Sequence, residues 1–544
     1  MKLLINILLF FYVTSYSQTT TLASSVAPGW NATDATDCLV NAINQVKGNG
    51  GDTLRVDNDR VWNIKFTRTF NWDDFVLDLR GCTINVIPGT QDYGTNEVIN
   101  DMFGIINGKN VTVLANGATL TMPKDDYTEG EFRHVWSVAG VDGFKIIGGI
   151  HQGSGGDGMY FANCRNVVVE NVLCNNNRRQ GLSIIGVNGC RIENSVFTNT
   201  TGTPPAAGID IEPNNVGDTL QNILIKNCRF TLNDGNGFFN ALAHYTGGPE
   251  ISIDFEDNYL SGNRRALQFQ ENVGGSSSMA EMTFSDPFTD SISGYFRAKN
   301  VHIENSPVKA IYALKTSESY ELSFENIVID DVSKTTDPLR NNPIALVARW
   351  NNDFANTLGG VSFSKVFLRN TSDYTDVLID GNGGQRPIAD ITIDSITIVN
   401  TKYVMQELTS TSTVVDPVNY IYSHAKIQAT LPEVIASVTT EGATDVNQDG
   451  FVTCTFTRSS TRIDYPLAIK YTITGVDQGI DIYHQTGSIV LGAGQTSRDL
   501  EIQTIDNMNG KSMTVTVEDT NLYNLSPTPV NRNRRIPKGV IYNR

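Results

Sequence analysis

Short apolar runs recur along most of the chain at a two-residue period, each opened by a small residue. Gly158-Met159-Tyr160-Phe161 is followed by Gly181-Leu182-Ser183-Ile184, Gly208-Ile209-Asp210-Ile211, Gly237-Phe238-Phe239-Asn240 and Ala266-Leu267-Gln268-Phe269, at intervals of 23, 27, 29 and 29 residues. A second apolar run follows in each repeat and ends in a charged residue plus Asn: Glu170-Asn171, Glu193-Asn194, Lys226-Asn227, Asp257-Asn258, Glu304-Asn305 and Glu325-Asn326. Asn at one turn position can hydrogen-bond its counterparts above and below as a ladder. A repeat of this length cannot bury its own apolar face and must stack on its neighbours. The pattern therefore predicts an all-β chain with a right-handed parallel β-helix over residues 28–425, its rungs about 4.8 Å apart.

The one clear helix signal lies at 34–46. Asp34 or Thr36 can cap it, and Leu39, Val40, Ile43 and Val46 share a face. Placed before a long β run, this capping helix covers the open end of the stack, where an exposed edge would invite aggregation. Two stretches break the rhythm, 271–296 and 333–343, and read as loops able to wall a cleft. After residue 430 the pattern changes. Leu467 to Ile473, Leu500-Glu501-Ile502 and Met513 to Val517 alternate at strand period, which predicts a small antiparallel β-sandwich over 430–525. The basic stretch 526–544 reads as a solvated tail.

Charge and cysteine usage narrow the function classes. A net charge of −17 over 544 residues argues against nucleic-acid binding, which needs a basic face. Residues 1–17 read as a signal peptide, with Lys2, an apolar run from Leu3 to Val13, and Ser15-Tyr16-Ser17 before the cut. No later run is long enough to span a bilayer. The expected product is secreted, extracellular or periplasmic, and monomeric. Of the seven cysteines, most sit beside apolar strand residues, which favours buried thiols over a disulfide framework, with one bridge within 164–228 left open.

Candidate chemistry centres on the third aligned repeat. Asp210 and Glu212 are two residues apart on one strand, so both leave the same face, roughly 6–7 Å apart by strand rise. Stacking the repeats puts Tyr160, Ser183, Asp210, Phe239 and Gln268 in one column, with Gln270 level with Glu212. Such a strip can hold sugars by stacking and hydrogen bonds. Arg178-Arg179 and Arg264-Arg265 enter the second and fifth repeats at nearly the same position, and their planar forks suit anionic groups. Arg179 and Arg265 are expected three rungs apart. His244 and Tyr245, just past the fourth repeat, are candidate proton carrier and sugar contact.

Two reaction schemes fit. In one, Asp210 and Glu212 hold Ca²⁺ that bridges to a uronate carboxylate while Arg179 or another base removes a proton. In the other, one carboxyl protonates the leaving oxygen and the other activates water. A non-catalytic glycan-binding rod is the third reading.

These residues also carry a resemblance. The Asp/Thr-rich start, short helix and Gly-Gly-Asp-Thr-Leu strand at 30–57, with the repeats after them, resemble the pectate-lyase superfamily domain, the pectin-lyase-like β-helix. That likeness implies a secreted enzyme acting on an acidic polysaccharide, lyase ahead of hydrolase, with calcium as a candidate cofactor. Gly208-Ile209-Asp210-Ile211-Glu212 also resembles the catalytic strand of alginate C5-epimerases, Gly-Phe-Asp-Pro-His-Glu. Gly208 and Asp210 match it; Ala207 and Glu212 depart from it. The stretch from Phe451 to Asp506 resembles a degenerate Calx-β domain, which implies calcium between loops. Asp445, Asn447 and Asp449 match the first three ligand positions of an EF-hand loop, but Phe456 stands where that loop needs Glu.

Overall fold

The computed structural model describes residues 20–47, 52–89, 101–127, 132–242, 245, 247–271, 292–315, 319–332, 342–348, 358–369, 375–380, 388, 390–399, 403–408, 425–428, 436–441, 451–458, 464–479, 481–505, 512–518 and 539–542. The leader expected at 1–17, most of both rhythm-breaking loops, His244 and the acidic turn at 445–449 lie outside them.

Among the described residues, 32 strands from Thr20–Leu22 to Ala425–Gln428 form one continuous parallel sheet. The five aligned runs are parallel neighbours in the expected register: Met159, Leu182, Ile209, Phe238 and Leu267 pair in sequence. All five side chains are buried in one core, with Phe161, Ile184, Ile211 and Phe269 on the same inward face. The small residue that opens each run has a steric cause. A Cβ on Gly158, Gly181 or Gly208 would stand 2.5, 2.5 or 2.6 Å from the carbonyl oxygen of Gly181, Gly208 or Gly237. The next rung passes too close for any side chain there.

The polar ladder is real but shifted. Asn171, Asn194 and Asn227 have positive φ, and so do Asp257, Asn300 and Asn326. Asn227 donates to Asn194, Asn300 to Asp257 and Asn326 to Asn300. The expected members Asn258 and Asn305 are not in this column; Asp257 and Asn300 are. The bend requires a left-handed residue, and Asn and Asp tolerate that conformation better than other side chains do.

The helix spans Thr36–Val46 and buries Leu39, Ala42, Ile43 and Val46 over the start of the coil. Asp34 accepts hydrogen bonds from the Thr36 backbone and hydroxyl. All seven cysteines are buried thiols. Deeper in the coil, Glu271 and Lys315 form a fully buried ion pair at 2.5 Å, and Lys315 also donates to the Tyr320 carbonyl.

Beyond the coil lie two antiparallel sheets. One orders Ala436–Glu441, Phe451–Arg458 and Ser497–Gln503; the other orders Thr486–Leu491, Leu467–Thr474, Ser512–Val517 and Gly539–Tyr542. The last strand corrects the reading of 526–544 as a wholly solvated tail, because the apolar Val540 and Ile541 extend a sheet edge by pairing with Thr514 and Met513.

This module packs along the side of the coil. Tyr483 donates to Asn116 at 2.9 Å and accepts from the Gly149 amide. Arg229 donates to the Thr486 carbonyl and the Tyr471 hydroxyl, and Lys470 pairs with Glu304 at 2.9 Å. Val328 and Phe367 of the coil join the module's apolar core.

Candidate active site

Strand Ala207–Ile211 places Asp210 on the outward column, paired with Ser183 on one side and Phe239 on the other. Tyr160, Gln268 and Tyr312 continue that column. The alternation therefore positions the carboxylates as expected, but the surface is not open. Asp210 and Ser183 are 0% exposed, whereas the Glu212 side chain is 34% exposed. Side chains from neighbouring rungs close over Asp210.

Three groups organise the cover. The Arg179 guanidinium donates to Glu212 Oε2 at 2.7 Å and stands 3.9 Å from Asp157. Gln180 donates its amide to Asp210 Oδ2 at 2.8 Å and accepts from the Ala207 backbone, so its orientation is fixed at both ends. His134 stands 3.4 Å from Asp157 and stacks on Tyr160, with ring centroids 4.8 Å apart. The His134 Nδ1 accepts the Asp157 backbone N–H at 3.0 Å, so the ring is the neutral tautomer with its proton on Nε2.

These surroundings set the protonation states. Burial first, then the Glu212 and Asp157 charges, push the Asp210 carboxyl well above the usual carboxylate range, while Arg179 pulls the other way. Burial opposes the Arg179 charge, but Asp157, Glu212 and Asp210 together outweigh it and raise its pKa. Burial, then Arg179, depresses His134 to about 3. Burial, then Asp157, pushes the Tyr160 phenol up to about 12. The second oxygen of Asp210, Oδ1, is buried with no hydrogen-bond partner among the described residues. The result is a buried carboxyl whose protonated form is favoured, beside a second carboxyl paired with arginine.

The other candidates are dispersed. Tyr245 is buried, its ring against Gly248, and does not face the surface. Phe239 and Gln270 are half-buried on the outward face. Gln268 is buried there, and its amide donates to Gln270 at 3.3 Å. Arg265 lies over the Tyr312 ring at 5.6 Å. The expected equivalence of Arg179 and Arg265 is off by one residue. Arg265 shares a column with Gln180, Ala207 and Asn236, and it is the exposed Arg264 that stands over Arg179. Arg178 is half-buried next to Arg179.

Asp157, His134 and Gln180 were not singled out from the sequence. Two of them had a signal: the residue before the opening glycine is polar in several repeats, as in Asp157, Gln180 and Asn236.

The donor set does not suit the calcium expected at Asp210 and Glu212. That ion takes six to eight oxygens, but here an arginine fork and an amide N–H already point at the two carboxyls. Among the described residues, no three His, Cys, Asp or Glu side chains gather closely enough to hold a metal ion.

No helix of the described residues is long and apolar enough to cross a membrane. No curated protein sequence matches the chain. The chain is similar to the tailspike protein gp49 of Acinetobacter baumannii bacteriophage Fri1, a capsular polysaccharide depolymerase. The match has 14% identity and a TM-score of 0.30, covering 92% of this chain and 84% of that one. It is similar to the catalytic domain of a GH87 alpha-1,3-glucanase at 13% identity, TM-score 0.38, covering 67% of each chain. A third likeness is to the Gp54 tailspike of Acinetobacter baumannii bacteriophage AP22, at 10% identity, TM-score 0.31, covering 90% and 96%. The family described as "Right handed beta helix region" matches residues 105–272, which makes the stretch around Asp210 a right-handed β-helix region.

Proposed function

We propose that the chain is a secreted glycoside hydrolase that cleaves a polysaccharide on the outward face around Asp210. One observation carries this reading: Asp210 is fully buried, where burial pushes its carboxyl well above the usual range, while its neighbour Glu212 is partly exposed and paired with Arg179. Two neighbouring carboxyls in such different surroundings are what acid and base roles require. Asp210 is fully covered in this structure, so its covering side chains must move aside when substrate docks. Asp210 then gives its proton to the glycosidic oxygen as the bond to the anomeric carbon breaks. Glu212, the more exposed of the two, takes a proton from the water that attacks that carbon from the opposite face. The strand-rise separation of roughly 6–7 Å falls near the lower end of the inverting range. Half-buried Phe239 on the adjacent rung, and half-buried Tyr160 two rungs away on the other side beyond Ser183, offer ring faces to the sugar.

This assignment places Arg179 as a charge partner. A base at that position needs a lowered pKa, and the surrounding carboxylates raise it. Hydrolysis is therefore favoured over the elimination expected from the pectate-lyase likeness. The exposed Arg264, three rungs from Arg179, supports an acidic substrate. The test is to incubate wild type and Asp210→Asn with a panel of acidic and neutral polysaccharides and to assay reducing ends. Release by wild type alone is expected. Retention of a glycan in affinity electrophoresis, with no release from any member, would make the chain a binder.

A further inference from the structure

A second polar recess lies away from the Asp210 column, where the C-terminal module meets the coil. It encloses about 440 Å³. Its coil wall is made by the ends of strands Cys164–Glu170, Val187–Glu193 and Leu220–Lys226, with Asn194 and Asn227 of the ladder beside them. Glu170, Glu193 and Lys226 are register partners on successive rungs. The module contributes Ser488, Arg498 and Glu501, over an apolar patch of Ile489 and Leu500.

Several of these groups are already committed. Arg498 pairs with Asp257, Arg191 with Glu193, and Lys226 with Glu256 at 3.6 Å. The buried Ser488 is different. It is 8% exposed and lines the recess, and its hydroxyl has no hydrogen-bond partner among the described residues. A buried hydroxyl without a partner costs stability unless something supplies the bond.

We propose that this recess binds an uncharged, hydroxyl-rich oligosaccharide, independently of the Asp210 face. Carboxylates accept from sugar hydroxyls, ladder amides and Ser488 can donate or accept, and an apolar patch suits a ring face. The volume lies within the usual range for small-ligand sites. The acids Glu170, Glu193, Asp257, Asp499 and Glu501 outnumber the bases Lys226 and Arg498, which disfavours an anionic chain. The acids are also spread out, since no three of them gather to hold a metal ion among the described residues. Such a site would keep a neutral stretch of polymer bound while the outward face works on another.

The experiment is saturation-transfer NMR on the full chain, with neutral hexasaccharides of glucose, mannose, galactose and xylose as probes and oligogalacturonate as the anionic comparator. At least one neutral probe should bind wild type and Asp210→Asn alike. Ser488→Val and, separately, Glu193→Gln should each weaken that binding by about tenfold, the scale of one lost hydrogen bond to a charged or buried partner. Glu193 is half-exposed, so Glu193→Gln carries the test even if Ser488→Val fails to fold. Four outcomes would overturn the proposal: no neutral probe binds, only the anionic probe binds, binding requires added calcium, or Asp210→Asn abolishes binding that both cleft variants retain.

Discussion

Asp210→Asn should melt at or above the wild-type temperature while losing at least about a hundredfold in turnover, the scale of a lost acid–base group. The two effects share a cause. Asp210 is fully buried, and both burial and the Glu212 charge oppose its ionisation. An amide of the same shape has no charge to bury, and its oxygen can accept the Gln180 N–H without disturbing the Ala207 bond to Gln180. It cannot give up a proton. Because the folded-state pKa is raised above the unfolded value of about 3.9, the native chain holds this proton where the unfolded chain has released it. Wild-type stability relative to Asp210→Asn is therefore fully present below about pH 4 and falls as pH rises through the folded pKa. Thermal melts of both proteins from pH 4 to 8, with turnover on the same samples, check this. A variant that melts lower at every pH and keeps its activity would assign Asp210 to the scaffold. Glu212→Gln should also lose turnover, but its exposed, arginine-paired side chain gives it no comparable stability gain.

The whole protein should lose stability in mild acid, on the order of a few kcal/mol between pH 7 and 5. Four histidines are buried. Burial depresses His134 to about 3 and His151 to about 4, lowers His302, and holds His484 well below its ordinary value. Their folded pKa values lie below the unfolded value of about 6.5, so the unfolded chain takes up protons that the native chain refuses. Stability is then present above about pH 6.5 and lost as pH falls toward the folded values, at up to about 1.4 kcal/mol per pH unit for each histidine. Asp210 runs in the opposite direction over this interval, one group against four. Urea unfolding followed by circular dichroism at pH 7 and pH 5 measures the difference. His302 and His484 sit near the junction between coil and module, beside Glu304 and Tyr471. Part of the loss should therefore appear as separate unfolding of the C-terminal sheets. A midpoint that does not move between these pH values would contradict the buried, neutral assignment.

The parallel coil was legible because its causes are local and repeated. A small residue opens each aligned rung, glycine in four and Ala266 in the fifth, and at Gly208 the next backbone passes within 2.6 Å of a would-be Cβ. An Asn, with Asp257 in one rung, marks the left-handed bend along the ladder column. Alternation then assigns Ile209 and Ile211 to the core and Asp210 to the outer column. The rest of the site was not legible in that way. Strand alternation groups Asp157 with core-facing Met159, yet Asp157 sits at the bend, where its carboxylate meets His134 and Arg179. His134 comes from a non-repeating segment before its strand. The arginine pair was misaligned because Asn177-Arg178-Arg179 and Asn263-Arg264-Arg265 match as triplets, whereas Gln180 adds one residue before Gly181 that has no counterpart before Ala266. The strand pairing follows the opening residues and sets Arg264 level with Arg179. Nor does the sequence reveal that the polar column is covered. That depends on Arg179 reaching across to Glu212, 33 residues away in the chain. The recess around Ser488 joins segments further apart still, through a module whose docking contacts follow no repeat.

In the proposed hydrolysis, Asp210 protonates a leaving sugar oxygen while water is the nucleophile. Digestion of a cleaved polysaccharide in heavy-oxygen water, followed by mass spectrometry of the products, tests this most directly. One solvent-derived oxygen is expected at each new reducing end with wild type and none above background with Asp210→Asn. Products that carry a new carbon–carbon double bond and no solvent oxygen would contradict it, because they would show elimination in place of hydrolysis.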